Sequence, residues 1–382
     1  MTALSREDLL RGAGTAVRGS VWQDRYGSGA QPYFSICIPQ FNRTSFLIEN
    51  LRMLARQSFT NWEVCISDDC STDGREAELL AELETLRVPY VYYRQPRNGR
   101  YDVNLRGSIA LAGGAYCLLM GNDDCLAGPG ILAEFADELK RHPEAGVAMA
   151  NYEEFDGSKA SRRVTQPGIA GSGPGIAVSR FRNFSFVSGV MLRTDRARAH
   201  ATNKWDGSEM YQMYIGCRIL AEGYSLLEIS TSAVLRSIVI PGESVDSYAA
   251  RPRVSQSRIE ERRLPLTRMG GLVYDAVRPE AGPKSAALGT LIFVQIIVFT
   301  YPFWIVEYRR VQSWKYAAGI CLGMRPRNLL EGVDLPLWRA ALLRLIYAGV
   351  TAAGLLCPIR VFDFFHRPLY RAAKAAMRWV AA

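Results

Sequence analysis

Two acidic clusters, each directly after an apolar run, hold the side chains best suited to chemistry. One is Ser67-Asp68-Asp69-Cys70-Ser71-Thr72-Asp73; the other is Gly121-Asn122-Asp123-Asp124. Carboxylates at the carboxyl end of a strand can accept hydrogen bonds from a base N–H or a ribose hydroxyl. Ser71, Thr72 and Asp73 equally suit a tight turn and a helix N-cap. Asp123 and Asp124, side by side after a buried strand, are costly unless a cation or hydrogen-bond donors balance them. Mg2+ or Mn2+ fits such oxygen ligands, and Mg2+ is usually held by one or two carboxylates plus phosphate oxygens. There it would neutralise a pyrophosphate leaving group. Either cluster alone also fits a solvated turn. Together they are specific, provided one sheet edge brings them to one cleft.

The elements that must position them follow from the apolar pattern. Tyr33–Pro39, Trp62–Ser67, Pro89–Arg94, Ala115–Met120 and Gly146–Ala150 read as strands. Arg43–Gln57, Asp73–Leu86, Tyr101–Ala112 and Gly130–Arg141 read as helices between them. This alternation predicts an α/β fold with a parallel sheet and helices on both faces. Ligands of such sheets bind outside the carboxyl ends of the strands, here Gln40–Arg43, Asp68–Asp73, Gln95–Arg100 and Gly121–Asp124. Further on, residues 156–182 predict a long loop, Phe184–Leu192 a strand, Ser208–Glu222 a helix with Ser208 near its N-cap, and Tyr224–Ile229 a strand. The first 30 residues read as a short helix and a Gly-rich linker, without the apolar core of a secretory signal.

Length and composition set bounds. The chain has 382 residues, 48% hydrophobic and 22% charged, which fits two domains, or one large domain plus an appendage, and excludes a disordered or collagen-like chain. Eight Cys without a C-x-x-C pair argue against a zinc ribbon or disulfide framework, and three His argue against chemistry built on several histidines. Charge is uneven: residues 1–250 carry 26 Lys and Arg against 29 Asp and Glu, residues 251–382 carry 20 against 8. A basic segment can meet nucleic acid or an anionic membrane. Two uncharged runs, Ser285–Val306 and Leu345–Ile359, and the nearby Trp304, Trp314, Trp338 and Trp379 point to the membrane rather than nucleic acid. The first run is long enough to span, at about 20 residues, though Gln295 and Pro302 interrupt it. Spanning by both would put the basic stretch 307–344 outside, against the positive-inside rule. The expectation is therefore monotopic or re-entrant attachment at a cytoplasmic membrane interface, one or two spans being the alternative, with basic side chains on anionic inner-leaflet phosphates. Packing as a soluble domain or a homo-oligomer interface is the other reading.

Taken in order, these residues resemble family 2 glycosyltransferases of the GT-A fold. Ser35-Ile36-Cys37-Ile38-Pro39-Gln40-Phe41-Asn42-Arg43 is similar to that family's opening strand and turn, and Asp68–Asp73 to its D-D-x-S-x-D turn. Arg97-Asn98-Gly99, Asn104 and Ala112-Gly113-Gly114-Ala115-Tyr116 are similar to its N-x-G…N…A-x-G-E-Y-I stretch, and Asn122-Asp123-Asp124 stands where it has a metal motif. The resemblance implies a GT-A (Rossmann-like) nucleotide-sugar-binding domain at 33–250. That domain would lie between an N-terminal helix and linker at 1–32 and a basic, aromatic-rich helical membrane-association region at 251–382. Pro39, Gln40 and Asn42 would line the nucleotide pocket, with Asn98 and Asn122 beside them. Asp68 and Asp69 would hold base and ribose; Asp123 and Asp124 would serve the ribose and the divalent metal on the diphosphate. Gly121 replaces the first acid of the usual metal motif, and Arg100 stands where many members have glycine, able to reach phosphate or solvent.

Members of the family invert the anomeric centre, which requires a general base for the acceptor hydroxyl. They place an acidic pair at the start of the helix ending in R-x-x-x-x-G-Y. Here Tyr211 and Gln212 hold those positions, and the nearest acids are Glu209 and Asp206. A one-turn shift would bring Glu209 into the site as base; a first-turn acid favoured by the helix dipole is the alternative. Ser188-Gly189 resembles the strand under the acceptor pocket. The implied activity is metal-dependent, inverting transfer from a nucleotide sugar to a lipid-linked (polyprenyl-diphosphate) saccharide of a surface polysaccharide. Transfer to polyprenyl phosphate, a nucleotidyltransferase and a non-catalytic membrane scaffold are the rivals. The second is disfavoured because Pro39–Arg43 contains no glycine.

Overall fold

The computed structural model describes residues 14–244, 265–365 and 368. The chain divides into two compact units, residues 1–172 with 182–247, and residues 173–181 with 248–382. The strands of the first unit are β1 (Thr15–Arg18), β2 (Phe34–Gln40), β3 (Trp62–Asp68), β4 (Tyr90–Arg94), β5 (Tyr116–Leu119), β6 (Cys125–Leu126), β7 (Ala145–Glu154), β8 (Ala160–Ser161), β9 (Gly168–Gly171), β10 (Val190–Arg193) and β11 (Ser225–Arg236). Its helices are α1 (Ser20–Tyr26), α2 (Thr44–Leu54), α3 (Glu76–Thr85), α4 (Arg100–Leu111), α5 (Ile131–Arg141), α7 (Thr194–Ala199) and α8 (Tyr211–Ala221); α6 (Gly173–Arg180) belongs to the second unit.

β3 is buried along its whole length and β2 at every residue but Pro39. Strands covered on both faces are written as unbroken apolar runs, which is why their sequences show no alternation. β4, β3, β2 and β5 are parallel neighbours, and in register Gln40 lies beside Asp68 and Asp68 beside Arg94. The loops leaving these strands therefore share one edge, and Phe34, Ile36, Ile38, Val64, Ile66 and Leu118 form the core behind it.

Three expectations are corrected. The sheet is mixed, not parallel: β7 runs in the direction of β5, but β10 lies between them, antiparallel to both. Apolar periodicity reports burial and is blind to strand direction. Residues 156–182 are not one loop. β8 and β9 pair with β7 and β11, and α6 follows; backbone pairing needs no bulky side chains, so a Gly- and Ser-rich stretch can supply it. The N-terminal segment is not simply helix and linker, because β1 pairs antiparallel with β4. The part of it before residue 14 lies outside the described residues.

The second unit is helical: α9 (Pro265–Ala281), α10 (Ser285–Gln295), a π-helical turn (Ile296–Thr300), α11 (Tyr301–Val311), α12 (Trp314–Gly323), α13 (Pro326–Leu329) and α14 (Leu337–Leu356). The π turn lies just before Pro302, whose ring cannot donate to, and would clash with, the carbonyl one turn earlier. Gln295, the polar break in the apolar run, is buried and donates to the Val178 carbonyl of α6 (2.8 Å). Two helical stretches are long and apolar enough to cross a membrane. Thr267–Val311 has mean hydropathy 1.9 and its most apolar window is 56% buried; α14 has 1.4 and is 11% buried.

Gly114 sets the entry to β5. A Cβ there would lie 2.8 Å from the Ser35 nitrogen and 2.9 Å from the Phe34 carbonyl carbon, backbone atoms of β2 that cannot swing aside. Gly114→Ala is expected to destabilise the fold by about 1–3 kcal/mol, read as a lower urea midpoint at unchanged slope.

Candidate active site

The site is built from what leaves the carboxyl ends of β2, β3 and β5. At the end of β2, Gln40 is fully buried. Its Nε2 donates to the Asn42 carbonyl (2.7 Å), and its own carbonyl accepts the Asp69 N–H (2.8 Å) and Asn104 Nδ2 (2.8 Å). Its Oε1 accepts Asn122 Nδ2 (2.7 Å) from the β5 end. Asn42 and Arg43 then take left-handed φ of 52° and 57°. Asn42 donates its N–H to Ser71 Oγ (2.8 Å) and accepts the Thr72 N–H on Oδ1 (2.7 Å). Gln40 and Asn42 thus join the two acidic clusters directly.

Asp68 and Asp69 are both buried. Asp68 Oδ1 accepts the Ser71 N–H (2.7 Å) and so closes its own turn. Asp69 spends both oxygens on the backbone N–H groups of Gly99 (2.6 Å) and Arg100 (2.9 Å). Burial pushes the Asp69 carboxyl up against the pull of those two donors. Asn98 Oδ1 accepts the Arg100 N–H as well (3.2 Å); Asn98 and Arg100 are exposed, and Arg100 has φ 67°. Asp69 therefore fixes the 98–100 turn at the mouth of the site.

At the β5 end, Asp123 pairs with Arg43 Nη2 (3.4 Å). Asp124 is buried; its Oδ2 accepts Ser188 Oγ (2.5 Å) and its Oδ1 the Ser237 N–H (3.0 Å). The same Ser188 Oγ accepts the Gly121 N–H (2.8 Å). A Cβ on Gly121 would lie 2.9 Å from Asp124 Oδ2, 3.2 Å from Asp123 Oδ1 and 3.4 Å from Ser188 Oγ. Glycine here leaves open the space on which both carboxylates converge. Burial, and then Asp123, push the Asp124 carboxyl up to about 7.

The donor set fits a hard divalent cation: two convergent carboxylates, one desolvated, beside a guanidinium already drawn in to balance charge. Asp123 and Asp124 would hold it. Among the described residues no three or more Cys, His, Asp or Glu form a closed cage.

The acceptor side differs from expectation. The helix expected from Ser208 begins at Tyr211, because Gly207 (φ 83°) and Glu209 (φ 59°) are left-handed and cannot be helical. Glu209 is thus not a first-turn acid; it sits in the turn ahead of α8. Asp206 has both oxygens on Arg106, at 2.5 and 2.9 Å, which leaves it poorly placed to accept a substrate proton. Gln212 is held by Tyr101 Oη (3.1 Å) and donates to the Phe184 carbonyl (3.1 Å).

Two residues escaped the sequence reading. Asp102 on α4 accepts the N–H groups of Glu209 (2.9 Å) and Tyr211 (3.1 Å). Arg163, buried, donates to the carbonyls of Ala150 (2.6 Å), Phe186 (2.8 Å) and Ser188 (2.7 Å), and burial, against the pull of Tyr152, lowers it to about 10. Neither sits in a motif, and their partners are distant in sequence.

The folded-state value of Asp124 lies above that of an exposed aspartate. Its contribution to stability is therefore full below about pH 4 and lost as pH rises through about 7. Thermal stability in chelator, without nucleotide, should fall between about pH 4 and 7, as far as Asp124 sets it. Asp124→Asn should flatten that fall and be the more stable protein at about pH 8.

Residues 35–200 match the family profile "Glycosyl transferase family 2". Abequosyltransferase RfbV of Salmonella typhimurium is 40% identical over 95 residues, 24% of this chain and 28% of that protein. The putative colanic acid biosynthesis glycosyl transferase WcaA of Escherichia coli is 32% identical over 94 residues, 24% of this chain and 33% of that protein. The chain thus spans about a third or less of the length of these two relatives. Staphylococcus aureus TarS 1–349, solved with UDP-GlcNAc, is similar in fold: TM-score 0.57 at 15% identity, covering 84% of this chain and 91% of that one. Family match, fold and the order of the motifs along one sheet edge agree: residues 35–200 are similar to the family 2 glycosyltransferase domain, on a fold of the GT-A type.

Proposed function

We propose that the protein transfers a sugar from a nucleotide sugar to a lipid-linked saccharide, with inversion, in the making of a bacterial surface polysaccharide. The observation that supports this reading is the bridge from Asp68–Asp69 to Asn122–Asp124 through Gln40 and Asn42, which joins the two clusters by hydrogen bonds at one sheet edge. The name of RfbV supports sugar transfer, and that of WcaA, which refers to colanic acid biosynthesis, supports the polysaccharide setting.

In this reading the nucleoside lies against the edge made by Pro39, Gln40, Asn42, Asp68 and Asp69. The diphosphate faces Asp123 and Asp124, and the exposed Arg100 lies at the mouth. Mg2+ or Mn2+ on these two carboxylates would offset the negative charge of the departing diphosphate. The acceptor oxygen forms the new bond to the anomeric carbon from the face opposite the diphosphate. The old C–O bond breaks with its electron pair going to the diphosphate, and Glu209 takes the hydroxyl proton.

Attachment to the cytoplasmic face of the inner membrane belongs to the same proposal, because it would meet a lipid-linked acceptor where nucleotide sugars are made. Its support is α14, whose Leu337 (88%), Leu345 (72%) and Leu356 (75%) are exposed beside Trp338, Arg339 and Arg344. An amphipathic surface of this kind suits an anionic bilayer interface.

A thermal-shift screen of UDP-, GDP-, CDP- and dTDP-sugars, with and without Mg2+ or Mn2+, tests the donor site, since a ligand of the folded state raises its stability. One donor should give a metal-dependent rise that Asp124→Asn abolishes; no metal-dependent shift with any of them would count against the enzyme. For the membrane face, wild-type protein should sediment with vesicles containing phosphatidylglycerol and weakly with phosphatidylcholine alone. Leu345→Asp with Leu356→Asp should release it to the supernatant while leaving the donor-induced shift intact.

A further inference from the structure

We propose that Asp102 is a positioning residue that sets the acceptor-side acid Glu209 relative to the donor turn; the proposal rests on the reading of Glu209 as base. Asp102 is 2% exposed, and its two oxygens go to the backbone N–H groups of Glu209 and Tyr211, residues of a segment more than a hundred positions away. A helix that needs only a cap takes Ser, Thr, Asp or Asn from its own N-cap position. α8 has Met210 there, without a side-chain cap, and draws a buried carboxylate from another helix instead. That is a costly substitute: burial pushes the Asp102 carboxyl up despite its backbone donors.

What the carboxylate secures is the backbone of Glu209 at φ 59°. A left-handed glutamate is disfavoured and persists only where its surroundings over-determine it. The flanks are held from the same helix. Arg106 binds Asp206 and the Thr202 carbonyl (2.8 Å), and Tyr101 binds Gln212. α4 is itself pinned at its start, where Asp69 receives Gly99 and Arg100. From the donor-side carboxylate to Glu209 the path is therefore Asp69, the Gly99–Arg100 turn, the first turn of α4, Asp102. Less than one helical turn of chain separates the two pinned ends. A base displaced by about 1 Å can cost about a hundredfold in rate, so this strut bears on turnover rather than on donor affinity.

The test is a double-mutant cycle with Asp102→Asn and Glu209→Gln in the full chain. The probe is the nucleotide sugar giving the largest shift in the screen above. Two quantities are read: release of nucleoside diphosphate, with water as acceptor, and the donor-induced thermal shift. Asp102→Asn should lower kcat about 10- to 100-fold with the KM for donor within about twofold and the thermal shift retained. In the Glu209→Gln background it should cause no further loss, because its effect runs through Glu209. An equal loss in both backgrounds overturns the proposal and leaves Glu209 as base. Full turnover in Glu209→Gln alone overturns the base reading and the proposal with it. Should Asp102→Asn not fold, Asp102→Ser, smaller and still an acceptor, takes its place under the same criteria.

Discussion

Buried carboxylates at one sheet edge are the constraint on which this site depends. Asp68, Asp69, Asp102 and Asp124 are each at most 4% exposed. Each accepts at least one backbone N–H, from Ser71, Gly99 with Arg100, Glu209 with Tyr211, and Ser237, the last joined on Asp124 by the Ser188 hydroxyl. A carboxylate that receives backbone donors dictates the conformation of the chain that donates them. Among the described residues, the non-glycine positions with left-handed φ are Asn42, Arg43, Cys70, Arg87, Arg100, Glu209 and Ser237. Arg100, Glu209 and Ser237 are donors to these carboxylates, and Cys70, Asn42 and Arg43 adjoin them. Strain is gathered where the acids are, each such residue costing on the order of 1–2 kcal/mol.

This arrangement explains which features the sequence displays and which it conceals. The ends of β3 and β5 are legible because each acidic cluster follows a strand buried on both faces, and the α/β class follows from the alternation of runs. Strand direction is not legible in the same signal, so the antiparallel insertion of β10 passed unseen. The turn before α8 failed for a different reason. Ser208 is a good N-cap by residue type, but Gly207 and Glu209 are held left-handed by a carboxylate at position 102. No local window contains both partners. Arg163 is hidden similarly: an arginine in a Gly- and Ser-rich stretch reads as surface, yet it is buried and donates to several carbonyls.

The second unit shows the limit of composition. Its longest apolar run and α14 are both long and apolar enough to span a bilayer, yet their most apolar windows are 56% and 11% buried respectively. The first holds Gln295 because a carbonyl of α6 awaits it. In α14, Leu343 and Gly354 are buried, while Leu337, Leu345 and Leu356 stand in the open. Hydropathy alone ranks the two in the opposite order from their exposure.

The place of β10 carries a consequence for how the protein is made. A ribosome delivers β5 and β7 well before β10, so the emerging chain must keep a slot one strand wide between them. Until Val190–Arg193 arrives, both rims of that slot present unpaired peptide groups, the kind of edge to which stray strands adhere. The filling strand follows directly on Ser188, the hydroxyl that Asp124 receives. Closing the seam and bringing Ser188 to Asp124 are then linked steps in biosynthesis, and a nascent chain halted before them would keep both rims open.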